Sequence, residues 1–95
     1  MPLETFPYDS AELLDTPAAV AAYLEAALET ADGAFITRAF GVIARARGMT
    51  QIAKDAGLSR ESLYRALGEN GNPEFSTVLK VAKALGLRLA VVAVE

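Results

Sequence analysis

Arg60, Glu61, Tyr64 and Arg65 are the residues of this chain whose types and spacing suit chemistry with a ligand. At about 100° per residue, a helix places them near 0°, 100°, 40° and 140°. The same arithmetic puts Leu63, Ala66 and Leu67 near 300°, 240° and 340°, on the opposite side. Two planar guanidinium forks, a phenol and a carboxylate on one arc can reach base edges or phosphates in a major groove. Ser59 and Ser62 add hydroxyls at the start of that helix. Just upstream, Thr50, Gln51 and Lys54 supply donors suited to phosphate. A solvated face on an amphipathic helix gives the same pattern in that helix alone, so the neighbouring elements must discriminate.

Those neighbours have a recognisable plan. Thr50 is placed to cap a two-turn helix through Ala56, with Ile52, Ala53 and Ala56 inward. Gly57-Leu58-Ser59 reads as a tight turn: glycine accepts a left-handed conformation, and serine caps the next helix. Arg60–Leu67 is that second helix. Two short helices joined by a glycine turn form the plan of a DNA-binding helix-turn-helix. Ala53 lets the helices cross closely, and Leu58 and Leu63 fill the space between them.

The rest of the chain must hold this pair in place. Residues 1–16 carry Pro2 and Pro7 and read as an extended arm, with one helical turn at Ser10–Leu14. Thr16-Pro17 opens an alanine-rich helix over 17–31, with Val20, Tyr23, Leu24, Ala27 and Leu28 on one face and Asp32-Gly33 ending it. A second helix runs from about Ala34 to Arg47-Gly48, burying Ile36, Ala39, Phe40, Ile43 and Ala44. After the loop 68–73, Ser76 or Thr77 opens a helix with Val78, Val81, Ala82 and Leu85 inward, ended by Gly86. Leu87–Val94 is too short for another helix and reads as a strand. The organisation is one domain, 1–95: an arm (1–16), an acidic helix (17–33), a bundle (34–86) and a C-terminal strand (87–95).

Composition excludes much else. There is no cysteine and no histidine, which removes thiol nucleophiles, cysteine–histidine zinc sites and the usual general base near neutral pH. Asp9, Glu12 and Asp15 recur every three residues, but nothing apolar encloses them to raise one pKa. Glu4, Asp9 and Glu12 lack the spacing of an EF-hand calcium loop. No catalytic residue, metal or cofactor is expected, and no enzyme. Apolar runs fall short of the ~20 residues of a membrane span, and no secretory signal is visible, so a cytoplasmic protein is expected. Tyr23, Phe35, Phe40 and Phe75 read as core fillers.

The charge is divided along the chain. Residues 1–37 hold seven acids and no base, whereas 38–95 hold five acids and all nine bases. The formal total of −3 therefore covers an acidic and a basic half, two surfaces for different partners, one of them a polyanion.

Residues 34–87 resemble the phage-repressor-type (Xre/Cro-like) helix-turn-helix family. The resemblance rests on Ile52-Ala53-Lys54-Asp55-Ala56-Gly57, on the capped helix around Leu63, and on Asn72-Pro73 followed by the apolar helix to Leu87. It implies a mainly α, lambda-repressor-like bundle of about five helices. One departure is Met49, which stands where many members carry a phosphate-holding glutamine; the available glutamine is Gln51. Nearly the whole chain is also similar to HigA-like antidote proteins of addiction modules. That similarity rests on Phe6-Pro7-Tyr8-Asp9, Leu14-Asp15-Thr16-Pro17, Tyr23–Leu28, Ile43–Met49, Gly57–Tyr64 and Gly71–Phe75.

This second resemblance implies an antitoxin that neutralises a RelE/ParE-like toxin and represses its own operator. A stand-alone regulator of the same fold is the alternative, and the seven-acid extension separates the two because a basic nuclease needs an acidic surface. On the antitoxin reading, Thr50, Gln51, Lys54, Ser59, Arg60, Glu61, Ser62, Tyr64 and Arg65 are expected to contact double-stranded DNA. The arm's Phe6, Tyr8, Asp9, Glu12, Leu13 and Leu14, with Glu25 and Glu29, are expected to dock the toxin. A homodimer, paired through the apolar last strand, is expected to read a palindromic operator.

Overall fold

A computed structural model describes residues 15–94, which form five α-helices. They are α1 (Pro17–Leu28), α2 (Gly33–Arg47), α3 (Met49–Ala56), α4 (Arg60–Ala66) and α5 (Phe75–Ala84). α1 packs on α2, α2 on α3, and α3 on both α4 and α5, so α3 is the hub of the bundle. The arm and its expected turn at 10–14 lie outside the described residues.

Apolar side chains at helical spacing build the core. α1 contributes Val20, Leu24 and Ala27; α2 contributes Ala39, Phe40, Ile43 and Ala44. Met49, Ile52 and Ala53 come from α3, Leu63 and Leu67 from α4 and its end, and Val81, Ala82 and Leu85 from α5 and its end. Burying a side chain such as Leu63 contributes about 1.5–3 kcal/mol. No polar or charged residue is buried among the described residues. Two expected core fillers lie outside this set: Phe35 and Phe75 are 44% and 69% exposed. Both stand at the first turn of their helices.

Local capping shifts several boundaries. α1 ends at Leu28 rather than 31, because the Thr30 hydroxyl donates to the Ala27 carbonyl (2.7 Å) and Ala31 turns to φ 56°. Asp32 starts the next helix instead of ending the first: its Oδ1 accepts from the Ala34 and Phe35 N–H groups at 3.1 and 3.2 Å. Thr50 is not a cap, since α3 already begins at Met49 after Gly48, with no side-chain cap bond. α5 starts at Phe75, not at Ser76 or Thr77, because the Glu74 carbonyl already accepts from the Thr77 and Val78 N–H groups.

The expected C-terminal strand is the main correction. Gly86 (φ 82°) ends α5, and the Leu87 N–H donates back to the Ala82 carbonyl at 2.9 Å. Residues 87–94 then continue without a ladder, and no strand forms among the described residues. A strand is defined by bonds to a neighbouring strand, and these residues hold no second extended segment of matching length.

Candidate nucleic-acid interface

The turn between α3 and α4 does what its residues dictate. Gly57 takes the left-handed conformation (φ 74°), and the Leu58 N–H closes α3 onto the Ala53 carbonyl at 2.9 Å. Leu58 is half-buried against the core, fixing where the chain turns. The Ser59 hydroxyl accepts from the Ser62 N–H (2.9 Å) and donates to the Ser62 hydroxyl (2.8 Å). Ala53, 3% exposed, is a small buried residue of α3, the helix that packs on both α4 and α5.

With Leu63 buried, the opposite side of α4 faces outward. Arg60, Glu61, Tyr64 and Arg65 are all exposed, as the angular arithmetic requires. Glu61 lies in the first turn and Arg65 in the last, each matching the helix dipole. Arg60 and Tyr64 are paired: Nη2 donates to the phenol oxygen at 3.3 Å, and the guanidinium lies 5.3 Å from the ring centroid. This i, i+4 pairing was open to sequence reasoning and was missed there. Ser59 and Ser62, expected as auxiliary readers, spend their hydroxyls on the cap and on each other.

On α3, Thr50, Gln51 and Lys54 are exposed. Gln51 Nε2 donates to Asp55 Oδ1 at 2.8 Å, holding the amide along the helix. Met49, where the resembling family carries its glutamine, is 5% exposed and belongs to the core. Of the six bases between residues 38 and 65, Arg47 is half-buried, with Nη1 enclosed and unpaired among the described residues. Arg38 and Arg45 remain exposed on α2, one step of i, i+7 apart. They border a groove of about 300 Å³ with Val42, Leu67, Gly68 and Glu69, next to the end of α4. Sequence reasoning counted these arginines without placing them there.

The expected toxin-facing residues divide in two. Glu25 near the end of α1 and Glu29 at its C-cap are both exposed. Phe6, Tyr8, Asp9, Glu12, Leu13 and Leu14 lie outside the described residues. Among the described residues no cluster of carboxylates could hold a metal ion, and no helix is long and apolar enough to cross a membrane.

Comparison with known proteins places this geometry in context. The model of a family described as "Probable addiction module antidote protein" matches residues 4–93. A protein of Haemophilus influenzae, described as an uncharacterized protein, is 50% identical over 84 residues, covering 88% of this chain and 87% of its own. No solved structure matches. Together the family match and this relative span both the acidic first half and the α3–α4 pair, and the chain belongs to the family of probable addiction module antidote proteins.

Proposed function

We propose that this protein is the antitoxin of a type II toxin–antitoxin module, of HigA-like kind, which neutralises a RelE/ParE-like toxin and represses its own operator. In this reading α3-turn-α4 is a lambda-repressor-like helix-turn-helix. α4 enters the major groove, Arg60, Glu61, Tyr64 and Arg65 meet base edges, and Thr50, Gln51 and Lys54 meet phosphates. Ser59 and Ser62 act by holding the start of α4. The observation that carries the reading is the exposed arc Arg60–Arg65 on a capped helix, in a chain of the antidote family.

Charge supports the same division. The first turn of α3 carries no side-chain cap, so its N–H groups complement a backbone phosphate, and Lys54 in the last turn offers a second phosphate contact. Exposed Glu25 and Glu29 belong to the acidic half, which suits a basic, RNA-handling toxin. The protein works as a binding module in the cytoplasm, without catalysis or cofactor. A single α4 covers only a few base pairs, so two copies on a palindrome supply the specificity.

The test is binding of the purified protein to DNA upstream of its own reading frame, together with co-expression with the adjacent small basic frame. Sequence-preferring binding lost in the double variant Arg60→Ala/Arg65→Ala, and rescue of growth from the neighbour's toxicity, are the expected results. Operator binding without rescue leaves a stand-alone regulator. Unchanged binding in the double variant removes α4 from the groove.

A further inference from the structure

We infer that Arg38 and Arg45 of α2 form a second, sequence-independent grip on the DNA backbone, holding phosphates just outside the bases that α4 reaches. The inference rests on the DNA-reading role proposed above and adds residues that lie on neither α3 nor α4. The groove that carries it, of about 300 Å³, is bordered by Arg38, Val42 and Arg45 of α2 and by Leu67, Gly68 and Glu69, which follow α4. Arg65, in the last turn of α4, stands two residues before Leu67. A backbone strand that passes the end of α4 meets this groove next.

Local packing holds both guanidinium groups at this groove. A Cβ built at Gly41 would lie 2.7 Å from the Leu67 carbonyl oxygen and 3.3 Å from Arg45 Nη1, so the Arg45 head folds back beside the end of α4. Arg38 lies 5.9 Å from the centroid of the Phe35 ring, which gives that exposed aromatic a use as a support. Neither arginine has a carboxylate partner among the described residues. They stand seven residues apart, about 10 Å along the helix, far enough to engage separate phosphates. Charge gives the need. The chain carries a formal −3, Met49 is buried where the resembling family holds a phosphate with glutamine, and Gln51 is engaged with Asp55. Arg38 and Arg45 are the exposed bases nearest the end of α4, and a guanidinium fork suits phosphate oxygens. Glu69 borders the same groove, and its carboxylate opposes a phosphate there.

The test measures binding of the full chain to the duplex upstream of its reading frame and to an unrelated duplex of equal length, across a range of salt. The double variant Arg38→Gln/Arg45→Gln should keep the helical circular dichroism, since both side chains are exposed. It should bind both duplexes roughly tenfold or more weakly at 0.1 M salt, with the order of preference among substituted operators unchanged. The slope of log affinity against log salt should become shallower by about 2 for each copy bound. Arg38→Lys/Arg45→Lys keeps the charge and should restore most of that slope. Glu69→Gln should tighten binding to both duplexes. Trimming base pairs from the ends of the upstream duplex should erase the difference between the wild type and the Gln double variant before α4 loses its bases. An unchanged slope in the Gln variant overturns the inference, as does a loss that lysine does not restore, because the arginines then act through the fold. A loss confined to particular base pairs overturns it too. A wild type that prefers its own upstream DNA while the Gln variant keeps its slope loses this inference alone; a wild type that binds neither duplex removes the DNA-reading role with it.

Discussion

A guanidinium that already stacks on the Tyr64 ring and donates to its hydroxyl has surrendered rotamer freedom before any base arrives. Arg60 is thus presented in one geometry, whereas Arg65 stands in the last turn of α4 with no such brace among the described residues. Arg60→Ala is expected to cost about 1–3 kcal/mol of operator affinity and to relax preference at one base pair. Tyr64→Phe keeps the ring and should cost less than Tyr64→Ala, which removes both contacts. Lys54→Ala should weaken every sequence alike and reduce the slope of log affinity against log salt by about 1. Fluorescence anisotropy over a set of singly substituted operators at several salt concentrations checks all four. Uniform weakening by Arg60→Ala would make it a phosphate contact instead. The outward arc was legible because it needs only the helical period. The cap of Ser59 was read as well. The bonds that engage Ser62 and Gln51 were not, although Ser59–Ser62 and Gln51–Asp55 stand at i, i+3 and i, i+4. A local hydrogen bond competes with the ligand contact the same side chain could make.

Among the elements, α3 and α4 are positioned by short-range devices whose loss has a defined cost. Ser59→Ala removes the bond to the Ser62 N–H and should destabilise the fold by about 1 kcal/mol in urea unfolding. Because the lost cap starts α4, operator binding should fall with it. Gly41 works through space rather than through a turn. A Cβ built there would lie 2.7 Å from the Leu67 carbonyl oxygen, so α2 can pass the end of α4 only without a side chain. Gly41→Ala should therefore destabilise by about 1–3 kcal/mol, despite alanine's better helix propensity. A stability gain would show that the contact yields without cost. The Gly57-Leu58-Ser59 turn and the five helices were readable because glycine, serine and apolar periodicity act locally. The end of α1 was not: Asp32 has the same composition signal as a stop or a start, and only the bonds to Ala34 and Phe35 decide it. Leu87–Val94 misled for a related reason, since β-branched composition favours a strand but cannot supply its partner.

At the scale of the whole molecule, every buried side chain among the described residues comes from the span between Val20 and Leu85. The α3–α4 pair is held by α2 and α5, both of which pack on α3. On the proposed reading the toxin must itself hold RNA, so the charge of the arm with that of Glu25 and Glu29 would complement it, and such complementarity raises the encounter rate more than the affinity. Affinity then needs apolar anchors, and Phe6, Tyr8, Leu13 and Leu14 are the large ones the arm offers. Deleting residues 1–15 separates these contributions. The truncated chain should keep its helical circular dichroism and bind operator with little change, because the core residues from Val20 to Leu85 and the outward arc of α4 are all retained. It should neutralise the co-expressed toxin poorly, with the loss seen first in dissociation rate. The substitutions Glu25→Gln and Glu29→Gln in the full chain should instead slow association, most strongly at low salt. Full neutralisation by the truncated chain would assign the docking surface to the helical bundle itself.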